Sequence, residues 1–113
     1  MQNNLINQSK QLAGAAGAVV AFMPEETGEY VVVVGDGEVF DRGGGNITVS
    51  QDGIAFTDLS AITAATRKTI TAVGGHGIYC TLGGGASGAD TKIGIYQIGS
   101  YPRLVSSSSS SSG

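Results

Sequence analysis

The stretch GEYVVVVGDGEVFDRGGGNITVSQDGIAFTDL, residues 28–59, decides the fold. It begins with β-branched and aromatic side chains at residues 30–34, whose stiff χ1 torsions suit a pleated strand better than a helix. Both faces of this run are apolar, which predicts burial on both sides, within a sandwich or against a neighbouring subunit. The glycines of residues 35–37 allow a tight turn, so a first hairpin is expected with residues 38–40 as the returning strand.

The second half of the stretch predicts a cleaner hairpin. Residues 46–50 alternate apolar and polar side chains, and Asp52-Gly53 is a two-residue turn into residues 54–57. Similar signals predict further strands at residues 19–23, 68–73, 78–82, 92–98 and 101–105. At residues 59–66 a short helix competes with an irregular connection, because Ser60 is a suitable N-cap.

Composition indicates one glycine-rich β domain. The chain has 113 residues, of which 19 are glycine and only 13% are charged, so turns and close backbone packing are favoured over solvated helices. We predict an all-β antiparallel β-sandwich, jelly-roll or small barrel with an extended N-terminal arm and at most one short helix. Residues 1–18 are assigned to the arm, 19–105 to the β domain and 106–113 to a low-complexity serine tail.

Charge and hydropathy argue against nucleic acid and membranes as partners. The net charge is −3, and the basic residues are scattered apart from Arg67-Lys68, so no basic patch is expected. The weakly apolar residues 12–23 are too few to span a bilayer and lack a clear cleavage site, which predicts synthesis in a cytoplasm. Cys80 is the only cysteine, so an intrachain disulfide is impossible and a buried strand thiol is expected.

The residues offer little chemistry. His76 is the only base that could activate a nucleophile, and a His76, Cys80 and Asp90 arrangement is conceivable, although a histidine in a GGHG turn is usually just exposed. One histidine and one cysteine cannot close a zinc site. Four acidic residues offer oxygen ligands for calcium but lack a calcium-loop motif: Asp36, Glu38, Asp41 and Asp52. We therefore predict no enzyme, no catalytic residue, no metal and no cofactor.

The Asn/Gln-rich residues 1–11, the Ala/Gly segment 13–18 and the Gly- and Thr-rich strands give the chain a general character that resembles the small virion proteins of tailed bacteriophages. The resemblance is to the capsid decoration or cement proteins, which sit as trimers or dimers on a capsid lattice. It implies a protein made in the host cytoplasm and located on the virion, where a β body clamps the major capsid protein or other virion subunits. A homo-oligomer, preferably a trimer, is the expected state.

On this interpretation, edge strands and buried apolar contacts hold the partner. The expected partner-contact residues are Leu5, Ile6 and Leu12 as arm anchors, with Val19, Val20 and Phe22 in a strand that can be donated to a neighbour. The competing interpretation is that all six cover the protein's own core.

Two other functions fit the same composition. A carbohydrate- or receptor-binding module of a tail fibre would use the glycine-rich loops with a tyrosine cluster formed by Tyr30, Tyr79, Tyr96 and Tyr101. A self-assembling fibre subunit would pack its Ala/Gly segment between copies.

Overall fold

The computed structural model describes residues 8–100, which form two antiparallel four-stranded sheets. The strands are β1 (Gln8–Gly14), β2 (Val19–Phe22), β3 (Gly28–Val34), β4 (Asn46–Gln51), β5 (Ile54–Ala55), β6 (Thr66–Ala72), β7 (Ile78–Gly83) and β8 (Ala89–Ser100). The first sheet has the order β1-β8-β3-β6 and the second β2-β7-β4-β5. Within residues 8–100 the only helical element is the 3-10 turn Thr57–Leu59, and no helix is long and apolar enough to cross a membrane.

The pairing describes one long antiparallel ribbon rolled into a sandwich. Strand β1 pairs with β8, β2 with β7, β3 with β6 and β4 with β5, so the ribbon folds back on itself at the β4–β5 turn. Rolling the ribbon brings β8 against β3 and β7 against β4, which completes the two sheets. This is the strand order of a jelly roll. The predicted all-β sandwich is confirmed.

Alternation along the strands builds the core. The inward-facing side chains of β3 and β8 include Val32, Val34, Ile93 and Ile95, and those of β4 and β7 include Ile47, Val49, Ile78, Cys80 and Leu82, all of them buried. Burying each aliphatic side chain of this size stabilises the fold by about 1.5–3 kcal/mol. Val33 points away from this core yet is also buried, whereas Val31 on the same outer face is only partly buried. The predicted burial on both sides of the valine run therefore holds in part.

The second predicted hairpin is confirmed and the first is wrong. Ser50 pairs with Ala55 around Asp52 and Gly53, which both have positive φ, as a type I′ turn requires. Residues 38–40 form no strand, because β3 is a central strand whose two sides are already paired with β6 and β8.

The other expectations have mixed outcomes. Residues 8–14 of the predicted arm form edge strand β1, paired along its length with β8. Beyond the 3-10 turn, residues 60–65 form no helix and make a single bridge, between Ile62 and Ile47. The predicted strand at 101–105 and the serine tail lie outside the described residues.

Three glycine-rich loops close one end of the sandwich, which we call the glycine end: residues 15–18, 35–45 and 84–88. Main-chain hydrogen bonds join them, from Ala16 N to Ala86 O (3.1 Å) and from Ser87 N to Gly43 O (3.2 Å). The backbones approach so closely that a Cβ on Gly45 would lie 2.0 Å from the carbonyl oxygen of Gly83. Glycine is therefore required at position 45 for steric reasons.

Candidate interaction surfaces

The sandwich has two open sides, each bordered by edge strands. Strand β1 lies beside β2 on one, which we call the β1/β2 side. On the other, the β6 side, β6 lies beside the segment that follows β5. Edge strands carry main-chain donors and acceptors that a partner strand can use, so these sides are candidate interaction surfaces.

Four of the six predicted contact residues lie on the β1/β2 side. Leu12 and Phe22 are buried in the protein's own core, and Val20 packs against that core. Val19 is half exposed at the start of β2. Leu5 and Ile6 lie outside the described residues.

A lysine spans the β1/β2 side. Lys10 lies on the same face of β1 as buried Leu12, and its Nζ donates a hydrogen bond to the main-chain oxygen of Ala21 in β2 (2.7 Å). The same ammonium group lies 5.1 Å from the centre of the Phe22 ring, within the range of a cation–π interaction. An inward-pointing charge on an edge strand discourages uncontrolled strand pairing, so this side is partly protected from partners.

The β6 side contains a cleft of about 160 Å³. It is lined by Phe56, Thr57, Asp58, Leu59, Lys68, Thr69 and Ile70. Leu59 and Ile70 belong to the core, and Phe56 packs against it, so the floor of the cleft is apolar. Engineered apolar cavities of about 150 Å³ hold a benzene ring, so this cleft has room for one apolar side chain.

An exposed ion pair lies at the rim of this cleft. Lys68 Nζ lies 3.4 Å from Asp58 Oδ2, and both side chains are well exposed to solvent. Thr57 and Thr69 also line the cleft, although Thr69 lies on the face of β6 opposite to Lys68 and Ile70. Exposed ion pairs contribute little to stability, so the pair mainly adds a donor and an acceptor at the mouth of the cleft. The cleft and its rim therefore suit a segment in which one apolar side chain is flanked by polar, uncharged side chains.

Exposed apolar side chains concentrate at the end opposite the glycine loops, which we call the apolar end. Its four large apolar residues are Met23 (41% exposed), Ile54 (75%), Val73 (49%) and Ile98 (56%). Strands β2, β4, β6 and β8 all finish at this end, and β5 begins there. Because β2 and β5 are the two opposite edges of the second sheet and β8 belongs to the first, the four side chains are spread across this end. Exposed apolar groups at one end of a domain make that end a candidate interaction site.

The loops of the apolar end are tied together. The side chain of Gln51 donates to the main-chain oxygens of Val73 (3.0 Å) and His76 (2.8 Å) and accepts from Val73 N (3.1 Å). Gly75 N donates to Pro24 O (2.8 Å), beside Met23. These bonds fix the loops next to Met23 and Val73, while Ile54 and Ile98 lie in strands β5 and β8. A partner would therefore meet a surface that needs little further ordering on binding.

The structure does not bring together the conceivable catalytic residues. His76 Nδ1 lies 2.7 Å from Asp52 Oδ2, whereas Asp90 accepts a hydrogen bond from Gln11. Cys80 is paired in the ladder with Val20 and Val49 and is fully buried. Burial raises the pKa of the Cys80 thiol to about 12, so the thiol is neutral at ordinary pH and poorly nucleophilic.

The buried thiol predicts an alkaline loss of stability. In the unfolded chain Cys80 ionises near pH ~8.5, whereas in the folded protein its pKa is about 12. The contribution of the neutral thiol is therefore complete below pH ~8.5 and lost as the pH rises through the folded value. We expect the free energy of unfolding, measured in urea, to decline from pH 9 upward more steeply in the native protein than in Cys80→Ala. Burial also raises the pKa of Tyr30, so the stability of Cys80→Ala should still decline somewhat at alkaline pH. If the free energies of unfolding of the native protein and of Cys80→Ala fell in parallel with pH, the raised pKa of Cys80 would be contradicted.

The acidic residues considered for calcium have separate partners. Asp36 pairs with Arg67 (3.0 Å), Glu38 with Lys92 (3.9 Å) and Asp52 with His76, while an oxygen of Asp41 accepts from Gly43 N (3.0 Å). Among residues 8–100, no group of three or more His, Cys, Asp or Glu side chains is placed to hold a metal ion.

The tyrosines do not share one face. Tyr30 is buried in the core and its hydroxyl donates to the main-chain oxygen of Glu26. Tyr79 lies on the second sheet and Tyr96 on the first, each with its ring against a glycine two residues earlier in the chain, Gly77 or Gly94. Tyr101 lies outside the described residues. The cluster expected for a carbohydrate site is therefore divided between the core and two sheets.

Comparisons with protein-family models, with curated proteins and with solved structures found no match. The fold class, a jelly-roll sandwich, consequently rests on the strand pairing described above. Jelly rolls serve many unrelated functions, so function must be argued from the surfaces.

Proposed function

We propose that this protein is a non-enzymatic virion structural protein, of the decoration or cement type, that stabilises a phage capsid lattice through oligomeric β-rich contacts. The observation that carries the proposal is the apolar end, where Met23, Ile54, Val73 and Ile98 are exposed and hydrogen bonds join the neighbouring loops. Its partners would be the major capsid protein or other virion subunits.

The chemistry of the rest of the molecule supports a contact function. The one cysteine is buried, the histidine is paired with Asp52, and the acidic residues considered as ligands have separate partners. The glycine end differs from the apolar end, because its loops are joined to one another by main-chain hydrogen bonds. The two ends are thus chemically distinct, as expected of a protein that sits on a lattice with one end down and the other outward.

A sedimentation experiment tests the proposal. Capsid shells purified from the virus that encodes this chain are mixed with the protein, and the bound fraction is measured after centrifugation. Ile54→Asp places a charge in the apolar end and is expected to weaken binding about tenfold or more, since every tenfold corresponds to about 1.4 kcal/mol. Ile54 is 75% exposed, so the substitution leaves the core intact.

Val39→Asp is the matched control. Val39 is also exposed, at 50%, but lies in a loop of the glycine end. The same charge is introduced there, and capsid binding is expected to stay within about twofold of the native value. Equal losses in the two variants, or no binding of the native protein, would overturn the proposal.

A further inference from the structure

We propose that the β6 side binds a second copy of this chain, which adds the segment around Leu5 and Ile6 as a strand along β6 and inserts one of these two side chains into the cleft. This inference deepens the proposed function, because it names the partner for the oligomeric contacts that the proposal requires. It rests on the geometry of the cleft, on the register across the first sheet and on the sequence around residues 5 and 6.

The cleft lies where an added strand would need a pocket. Within residues 8–100, β6 is an edge strand of the first sheet, and the cleft borders it. Lys68 and Ile70, on the inward face of that strand, line the cleft. A strand paired with β6 would extend the first sheet, and every second side chain of it would point inward, over Phe56 and Leu59. Main-chain hydrogen bonds along β6 would supply affinity, and the cleft would select the inward side chain.

The segment around Leu5 and Ile6 matches this pocket. The sequence from residue 2 is QNNLINQ, two aliphatic residues flanked by amides, with no charge. An aliphatic side chain suits the apolar floor of the cleft, and amide side chains can both donate and accept at a rim that contains Thr57 and the Lys68–Asp58 pair. Because adjacent residues of a strand face opposite ways, only one of Leu5 and Ile6 enters the cleft.

The register shows that the segment must come from another copy. Gln8 pairs with Ile95, Ile95 with Val32 and Val32 with Lys68, so Gln8 and the cleft residue Lys68 lie on one line across the sheet. A strand added beyond β6 would lie four strand spacings from β1, about 19 Å. Leu5 is three residues from Gln8, which reaches about 10 Å at most. The segment cannot occupy the β6 side of its own subunit.

Such a contact joins two different surfaces, the leading segment of one copy and the β6 side of the next. Contacts of this kind close into a ring when the rotation between copies allows it and otherwise continue as a filament. In a closed ring of three copies, each leading segment occupies the cleft of the next copy and no cleft stays empty. Such a ring corresponds to the predicted trimer. An open filament would correspond to the fibre subunit considered from the sequence.

Cross-linking between two variants that each carry one added cysteine tests the proposal directly. Chains carrying Leu5→Cys are mixed with differently tagged chains carrying Thr57→Cys, unfolded and refolded together, and treated with a short bifunctional maleimide. Native Cys80 is buried and contributes no background in the folded protein. We expect a mixed-tag dimer, because a segment docked on β6 holds its cysteine near position 57 at an effective concentration in the millimolar range.

The control replaces Thr57→Cys by Ser87→Cys, at the exposed glycine end. At matched protein concentration we expect roughly tenfold less mixed dimer, since that cysteine meets Leu5→Cys only by diffusion. Ile6→Cys is examined in the same way, because either neighbour can be the inward residue. Equal yields at positions 57 and 87 for both variants would overturn the proposal.

Light scattering gives a second measurement. Leu5→Asp combined with Ile6→Asp is expected to reduce the oligomer to a single chain, because a carboxylate cannot be buried unpaired in an apolar cleft. Asn3→Asp combined with Asn4→Asp makes the same charge change in the same segment and is expected to leave the oligomer intact. Loss of the oligomer in both double variants, or in neither, contradicts the inference. These outcomes are separate from capsid binding, which Ile54→Asp tests on its own.

Discussion

Phe22→Ala is expected to lower the free energy of unfolding by about 3–5 kcal/mol, a large fraction of the stability of a domain of this size. Phe22 lies on an edge strand, yet it is fully buried and its ring also lies beneath the ammonium group of Lys10. Truncation would leave a cavity between the sheets and remove the cation–π interaction. Chemical unfolding followed by circular dichroism measures the loss.

The same experiment separates the two sequence-based interpretations of β2. If β2 completes its own core, as its pairing with β7 indicates, the loss is independent of protein concentration. If β2 is instead donated to a neighbour, the stability of native protein and variant depends on concentration by mass action. Val19→Ala, on the same strand but half exposed, is the control and is expected to change stability by no more than about 0.5 kcal/mol.

Gly45→Ala is expected to have the second largest effect, a loss of about 1–3 kcal/mol or more from overpacking. The added Cβ would meet the carbonyl oxygen of Gly83 at 2.0 Å and the Cβ of Ala86 at 2.6 Å. Two of the three loops at the glycine end would have to separate. The midpoint of thermal unfolding should fall accordingly, and the amides of residues 84–88 should exchange hydrogen faster.

Gly99→Ala is the matched control for this substitution. A Cβ on Gly99 meets no atom within 4 Å, and its backbone does not require positive φ. The change is therefore expected to be neutral or slightly stabilising, because alanine restricts the unfolded chain. Equal effects at positions 45 and 99 would show that the loops of the glycine end are not closely packed.

Local signals were sufficient for strands β2 to β8 and for one hairpin, but not for β1, whose residues were assigned to the arm. Residues 46–55 are predictable because alternation and the Asp52-Gly53 turn act over a few residues, and both appear in the structure. The burial of the inward face of the valine run also follows from side chains alone, whereas on the outer face only Val33 is buried.

The prediction of the first hairpin was wrong because of strand pairing between residues that are distant in the sequence. Glycines at 35 and 37 do turn the chain, and Glu38 N bonds to Gly35 O. However, β3 is central, and β6 and β8 already occupy both of its sides. Whether a strand is central or at an edge depends on residues far along the chain, which turn chemistry cannot reveal.

The interaction surfaces were harder to predict than the strands. Leu12 and Phe22 were expected to contact a partner because they are apolar. The same property suits the protein's own core, where both lie. The cleft depends on the 3-10 turn lying near β6, and no pattern brings Phe56 near Ile70. Ile54 and Val73 border turns, as many other apolar residues do. Only the jelly-roll pairing of the strands shows that both lie at the same end of the sandwich.

The rolled ribbon also sets how fast the chain can fold. Only the β4–β5 turn joins strands that are neighbours in sequence, whereas Leu12 must find Thr91 across nearly the whole domain. Proteins dominated by such distant pairings cross their folding barrier in milliseconds to seconds, because loop entropy is lost before the contacts form. We expect the tip of the ribbon, whose contacts are the most local, to form early and β1 to pair late.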